Sequence, residues 1–249
     1  MQRRTLTIPI SLQDAARSSV LLGRLPLDDA SEVVLAGHGA RAARGRALLH
    51  AGDDAAVLVL RGVGAVRRTA VSGTQVITAL PGPGEVAGLT VALGHLDVAA
   101  EVTAIDPIEA LVIPGSALRR LVGERAAIAQ ACLRAVTAEL ADAQREAALF
   151  GDSCTSTRIE VRLLELVERW GVRDGDAVHI GLHLTQDELA SWARVSRESA
   201  ARTLQTLRRA GILATGRRDL TILDLPALQA RRRHDAADPM VRELLRHAR

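Results

Sequence analysis

Lysine and tyrosine are absent from this 249-residue chain, phenylalanine occurs once, at Phe150, and there are two cysteines and two tryptophans. With so few aromatics, a core has to be assembled from aliphatic side chains and alanine. The hydrophobic fraction of 48% suffices for one large domain or two ordinary ones. Because lysine is missing, every basic residue except histidine is an arginine, a bias that reflects GC-rich coding rather than chemistry. Cys132 and Cys154 form no CxxC pair and have no histidine at ligand spacing. That excludes an iron–sulfur cluster held by four thiolates, argues against structural zinc, and leaves reduced thiols as the expectation. No apolar run approaches the ~18 residues of a membrane span. The opening MQRRTLTIPISLQDAARSSV lacks a continuous apolar h-region, so a soluble, cytoplasmic protein is expected. Paired carboxylates, metal-ligand clusters and activated nucleophiles at credible spacing are also missing, so no enzyme and no metal are expected. Gly151-Asp152-Ser153 imitates the start of a GDS-type esterase, but it follows a helical pattern where that nucleophile requires a strand; a hinge is the better reading.

The charge that is present is uneven. The net charge is only +3, yet residues 158–249 carry 17 arginines against 13 acids, and between Arg194 and Arg218 seven arginines face one acid, Glu198. A local excess of this kind suits a polyanionic partner.

From about 20 to 115, short apolar runs such as AAVLVLRG and TQVITALP are punctuated by glycine at roughly ten-residue intervals, the pattern of a small antiparallel barrel or sandwich. After Pro114 the period changes. Leu118, Leu121, Ile128, Cys132, Ala135, Leu140, Ala143 and Ala147 fall on one stripe of a helix over 116–150, roughly 45 Å long. Its alanine-rich seam predicts dimerisation, with a cysteine placed where it would cross-link partners if it did not simply pack as a small apolar residue. GDSCTST then breaks the pattern, and TRIEVRLLELVERWG gives a second helix ending at Gly171.

Residues 184–224, LTQDELASWARVSRESAARTLQTLRRAGILATGRRDLTILD, carry the most information. Thr185 and Glu188 make a capping box, and Leu184 with Leu189 a hydrophobic staple around it. The short helix that follows ends near Arg194-Val195. Ser196 caps a new helix that stops at Gly211. Two short helices about three residues apart outline a helix-turn-helix. In the second, Ala200, Leu204 and Leu207 share the inward face, while Arg197, Glu198, Arg202 and Gln205 face outward. Arginine pairs bidentately with guanine and glutamate accepts from cytosine N4, so this face is equipped to read a major groove. ILATGRRDLTILD reads as a β-hairpin turning at Gly216-Arg217, a wing whose Arg217 and Arg218 would meet phosphate.

This segment resembles the winged helix-turn-helix of the cyclic-AMP receptor protein and FNR (CRP/FNR) superfamily of bacterial transcription regulators. The order of parts is also similar, over about 20–228. The resemblance implies an α+β protein: a cyclic-nucleotide-binding-type antiparallel β-barrel (jelly roll) over 1–115, a dimerisation helix over 116–150, a hinge at 151–157 and a winged DNA-binding domain over 158–249. It implies base contacts from Arg197, Glu198 and Arg202 and backbone contacts from Thr185, Gln186, Ser196, Gln205, Arg217 and Arg218. It also implies a homodimer on palindromic double-stranded DNA with TGTGA-like half-sites, and RNA polymerase as a further partner. One departure lies in the turn, where Arg194 replaces the family's usual glycine.

A second departure lies in the barrel. The family's phosphate cassette opens with Gly-Glu, matched here by Gly84-Glu85, and closes with an Arg-Ser-Ala triplet, for which Val98-Ala99-Ala100 stands here. The arginine and the serine hydroxyl are both missing. The long helix presents Gln144 where the family offers a hydroxyl to the adenine. Gly84, Glu85, Val98, Ala99 and Gln144 therefore describe a degenerate effector pocket, and tight binding of cyclic AMP is not expected. The alternative is a regulator that responds to a cyclic nucleotide through a non-standard phosphate contact. Without cyclic AMP, the cassette suits a vestigial scaffold, an uncharged effector or a protein partner; His38, His50 and His95 are haem ligands only in principle.

Overall fold

The computed structural model describes residues 19, 21–70, 73–94, 100–216 and 219–235. The chain divides into two compact units, Met1–Leu140 and Ala141–Arg249. In the first, helix α1 (Leu27–Ala36) precedes strands β1 (His38–Ala42), β2 (Ala47–Leu49), β3 (Ala55–Arg61), β4 (Gly64–Thr69), β5 (Gln75–Ala79) and β6 (Val86–Ala87). Helix α2 (Leu89–Gly94), strands β7 (Ala100–Ala104) and β8 (Ile108–Pro114), helix α3 (Gly115–Glu124) and the start of helix α4 (Ala126–Asp152) complete it.

The strands form two antiparallel four-stranded sheets, ordered β1-β8-β3-β6 and β2-β7-β4-β5. No hydrogen-bonded ladder joins them among the described residues, so the expected barrel is a jelly-roll sandwich rather than a closed cylinder. Strand β3 explains why a continuous apolar run marks its position. Successive side chains of a strand point to opposite faces. Val57 and Val59 point into the sandwich against Val66, Val102 and Val112. Ala56 and Leu58 point the other way, into a cluster with Leu89, Leu118, Ile128 and Cys132 from the helices. Both faces are covered, so polar alternation would be costly there. Gly62, at φ 79°, allows the β3–β4 turn to pass so close to Pro107 that a Cβ would collide with its carbonyl.

The helix expected over 116–150 is two helices. Arg125 leaves the helical region (φ −129°, ψ 103°), and its guanidinium reaches Asp29 at 3.3 Å and Glu32 at 3.7 Å on α1. Gly123 weakens the helix just before the break. The expected seam is also corrected. Leu118, Leu121, Ile128 and Cys132 are buried in the chain's own core, with Ala135 packed against them, whereas Leu140, Ala143 and Ala147 are exposed. The hinge is shorter than expected, because α4 runs through Asp152 and α5 starts at Thr155, leaving Ser153 and Cys154 between them.

The second unit contains the end of α4 and α5 (Thr155–Trp170). Strands β9 (Gly171–Asp174) and β10 (Ala177–Ile180) lead to helices α6 (Gln186–Trp192) and α7 (Arg197–Arg209). Strands β11 (Leu213–Gly216) and β12 (Asp219–Ile222) and helix α8 (Leu225–Asp235) follow. The four strands form one antiparallel sheet ordered β11-β12-β10-β9. Ile159, Leu163 and Leu166 of α5 are buried, as are Trp192, Leu204, Leu207 and Ile222 of this unit. A quarter turn round α5, Glu160 is buried and accepts from Arg231 Nε of α8 at 2.8 Å. Residues 236–249 lie outside the described residues.

Candidate nucleic-acid interface

Each helix of the pair begins at a side-chain cap. Thr185 Oγ1 accepts from the Glu188 amide at 3.1 Å, and the Thr185 amide donates to Glu188 Oε2 at 2.9 Å, completing the capping box. Ser196 Oγ accepts from the Ser199 amide at 3.1 Å and opens α7. These caps satisfy amide donors that a helix start leaves without an intrahelical partner. Leu189, Ala190 and Trp192 of α6 and Ala200, Thr203, Leu204 and Leu207 of α7 are buried. Trp192, among the largest fully buried side chains, and Thr203 lie outside the aliphatic pattern that marks the inward faces in the sequence.

Burial of that face leaves the other in solvent. Arg197, Glu198, Arg202 and Gln205 are all exposed, as are Thr185, Gln186 and Ser196. Glu198, Arg202, Gln205 and Arg209 follow the i, i+4, i+7, i+11 spacing of a single helical stripe. Arg197, at the first position of α7, donates through Nε to Asp187 Oδ1 of α6 at 2.9 Å. The wing strands end at Gly216 and resume at Asp219, which pair with each other. Arg217 and Arg218 lie outside the described residues.

Arg194 in the turn has φ 53°, the only positive φ of a non-glycine among the described residues. Its side chain is committed as well. Nη2 donates to Glu146 Oε2 at 3.3 Å, and the guanidinium lies 4.9 Å from the centre of the Phe150 ring. Arg158 and Arg162 approach the same ring at 5.3 Å each, and Arg162 also lies 4.4 Å from Trp192. Arg162, almost wholly buried, donates to both Glu146 and Glu165, while its Nε has no partner. Within the second unit, the single phenylalanine and one glutamate thus tie the last turns of α4 to the helix-turn-helix. In the sequence, the one signal of this cluster is an aromatic residue in a chain nearly without them.

In the first unit Gly84 (φ 87°) donates to the Val59 carbonyl at 2.8 Å. Glu85 precedes β6, and its Oε2 accepts from the Gly82 amide at 2.8 Å, so the carboxylate helps close its own turn. Gln144 is exposed on α4 in the second unit. Val98 and Ala99, with His95, lie outside the described residues; His38 and His50 are exposed. Arg119, the first arginine after Arg68, forms a two-point pair with Asp54 at 2.9 and 2.8 Å and donates to the Ala92 carbonyl. Burial pushes the Cys132 thiol up to about 11. Among the described residues no helix is long and apolar enough to cross a membrane, and no group of three or more His, Cys, Asp or Glu could hold a metal ion.

Comparison with known proteins bears on both units. The family model for the cyclic nucleotide-binding domain matches residues 40–125, and that for the Crp-like helix-turn-helix domain matches 157–231. The chain is 24% identical over 192 residues to a CRP-like cAMP-activated global transcriptional regulator of Mycobacterium tuberculosis, covering 76% of this chain and 86% of that protein. It is 25% identical over 238 residues to the transcriptional regulatory protein btr of Bordetella pertussis, covering 92% and 97%. Its fold is similar to that of the c-di-GMP responsive global regulator CLP of Xanthomonas campestris, with TM-score 0.69, 18% identity and coverage of 79% and 99%. A jelly roll carrying one family model and a capped, winged helix pair carrying the other place this chain in the CRP/FNR superfamily of DNA-binding transcription regulators.

Proposed function

We propose that the protein acts in the cytoplasm as a homodimer that reads a palindrome of TGTGA-like half-sites and does not depend on cyclic AMP. The observation that carries the DNA part is the solvent face of α7. Arg197, Glu198 and Arg202 stand exposed on a helix whose other face is buried and whose start is fixed by the Ser196 cap. Thr185, Gln186, Ser196 and Gln205 flank them for backbone contacts, with Arg217 and Arg218 assigned to phosphate from the sequence. Two copies would enter successive major grooves about one helical turn apart. RNA polymerase is the further partner such a regulator would address.

The dimer reading is supported by α4. Gln130, Leu133, Thr137, Leu140, Gln144 and Ala147 follow alternating steps of three and four and are all exposed. That 3.5-residue period is the seam of a two-stranded coiled coil, in which polar residues among leucines set register. Leu133 and Leu140, 64% and 56% exposed, are the large apolar side chains such a seam would cover.

Independence from cyclic AMP is supported by the sequence of the cassette. Between Arg68 and Arg119 there is no arginine, and the chain has no lysine, so His95 is the only side chain of that segment able to carry positive charge. A buried cyclic phosphate without a cation loses its charge-assisted hydrogen bonds. The second reading, a nucleotide-responsive regulator with a non-standard contact, is favoured by the match of the first unit and by the cAMP-activated relative. Fluorescence anisotropy on a TGTGA-palindrome duplex and a scrambled duplex, each with and without cyclic AMP, separates the two. Selective binding unchanged by the nucleotide is expected; binding that appears only with it would establish the second reading, and equal binding to both duplexes would remove the half-site assignment.

A further inference from the structure

The capping box of α6 uses Thr185 and Glu188 and leaves the carboxylate between them, Asp187, outside the cap. That carboxylate instead accepts from Arg197 Nε at 2.9 Å. Only the Nε edge of the guanidinium is engaged. The Arg197 side chain is 79% exposed, and Nη1 and Nη2 make no ion pair or hydrogen bond among the described residues. An exposed ion pair of this kind adds little to stability. An acid beside Thr185, Gln186 and Ser196, on the face assigned to DNA, also repels phosphate. In the first turn of α6 the carboxylate also complements the helix dipole, a benefit that does not need Arg197; the pairing itself calls for another role.

We infer that Asp187 is a positioning residue for base readout: by holding Arg197 through Nε, it presents the two Nη groups as a preset fork to a guanine in the major groove. The inference rests on the reading of Arg197 as a base-contacting residue. Unrestrained, an arginine at the start of α7 would sample many rotamers and lose that freedom on binding. Restrained at Nε, it keeps the end-on geometry that pairs with guanine O6 and N7. Two effects of opposite sign follow from removing the acid. Discrimination at the guanine falls, while affinity for random DNA stays level or rises because one repulsive charge has gone.

The test begins with duplexes selected by the wild-type protein from a randomised pool. Anisotropy titrations then compare wild type, Asp187→Asn, Asp187→Glu, Arg197→Ala and the Asp187→Asn/Arg197→Ala double variant. Each is measured on the selected duplex, on that duplex with the guanine recognised through Arg197 changed to adenine, and on a random duplex. Asp187→Asn is expected to reduce guanine-over-adenine discrimination roughly threefold to tenfold without weakening binding to the random duplex. Asp187→Glu, which keeps the charge, is expected to retain most of the discrimination. In the Arg197→Ala background the asparagine should have no further effect. Unchanged discrimination in Asp187→Asn, when Arg197→Ala has lost it, overturns the inference and leaves the base-reading assignment standing. The same loss with or without Arg197 overturns it too, by showing that Asp187 acts on DNA directly. Loss of binding to every duplex together with a lowered melting temperature would make the role structural and overturn it. Full discrimination in Arg197→Ala, or no consensus from the wild-type selection, removes the base-reading assignment itself.

Discussion

Arg194 sets a backbone cost against a side-chain gain, and two substitutions separate them. At φ 53° a residue with a Cβ is strained by about 1 kcal/mol relative to glycine. In return its guanidinium pairs with Glu146, a half-exposed contact worth roughly 0.5 kcal/mol. It also stacks on Phe150 for roughly 0.5–1 kcal/mol. Arg194→Ala loses both contacts and keeps the strain, so it should destabilise the second unit by about 1–1.5 kcal/mol. Arg194→Gly loses the same contacts but relieves the strain, and should fall within about 0.5 kcal/mol of wild type. Glycine should therefore be the more stable of the two variants by about 1 kcal/mol, the reverse of their order in a helix interior. Urea unfolding followed by tryptophan fluorescence reads this unit alone, because Trp170 and Trp192 are the only tryptophans and both belong to it. A shift in midpoint at constant slope is the signature. An alanine variant as stable as the glycine variant would refute the strain argument, and a glycine variant down by about 2 kcal/mol or more would refute the values given to the contacts.

Arg231→Ala leaves the carboxylate of Glu160, 3% exposed, without its ion-pair partner, and should cost roughly 3 kcal/mol in the same urea assay, with Glu160→Gln/Arg231→Ala recovering at least part of it. Leu133→Ala/Leu140→Ala should weaken self-association at least tenfold by analytical ultracentrifugation while leaving the urea midpoint almost unmoved, since both leucines are exposed in the protomer. A thiol reagent at pH 8 should label Cys154 in the native protein and Cys132 only after denaturation, because burial keeps Cys132 protonated up to about 11. The corresponding sign is that neutral Cys132 supports the fold below the ordinary thiol range, and this support is lost as pH rises toward 11.

The parts legible in the sequence are those in which local chemistry and tertiary packing agree. Thr185 and Glu188 announce their cap, Ser196 announces the next, and Ala200, Leu204 and Leu207 fix which face of α7 is buried; all of it is found as read. The hairpin of β9 and β10 was passed over although Asp174-Gly175 marks its turn, with Gly175 at φ 59°. Its strands are four residues each: β9 carries Arg173 and Asp174, and the alternation of buried Val178 and Ile180 in β10 is too short to announce a strand. The Phe150 cluster lay beyond reach for a different reason. It joins positions 146, 150, 158, 162, 192 and 194; Arg158 and Arg162 stand one turn apart on α5, but no local spacing ties them to Phe150 on α4 or to Arg194 in the turn.

Helix α4 was misread for a reason that also supports its proposed role. Two apolar stripes lie on it, and a search for one period merges them. Ile128 and Cys132 with Ala135 are inward-facing and continue the row of Leu118 and Leu121 on α3; these are the side chains that cover the sheet containing β3. Leu133 and Leu140, seven residues apart, belong to the other stripe, which the protomer leaves in water. A helix serving only its own domain would need the first stripe and would place polar residues on the second. Large leucines kept in solvent at heptad spacing, with Thr137 between them and Gln144 beyond, support the proposed pairing with a second helix of the same kind. The alanines counted toward a single seam divided between these two faces, and Arg125, by ending α3, let the inward stripe turn onto the sheet while the outward one stayed free.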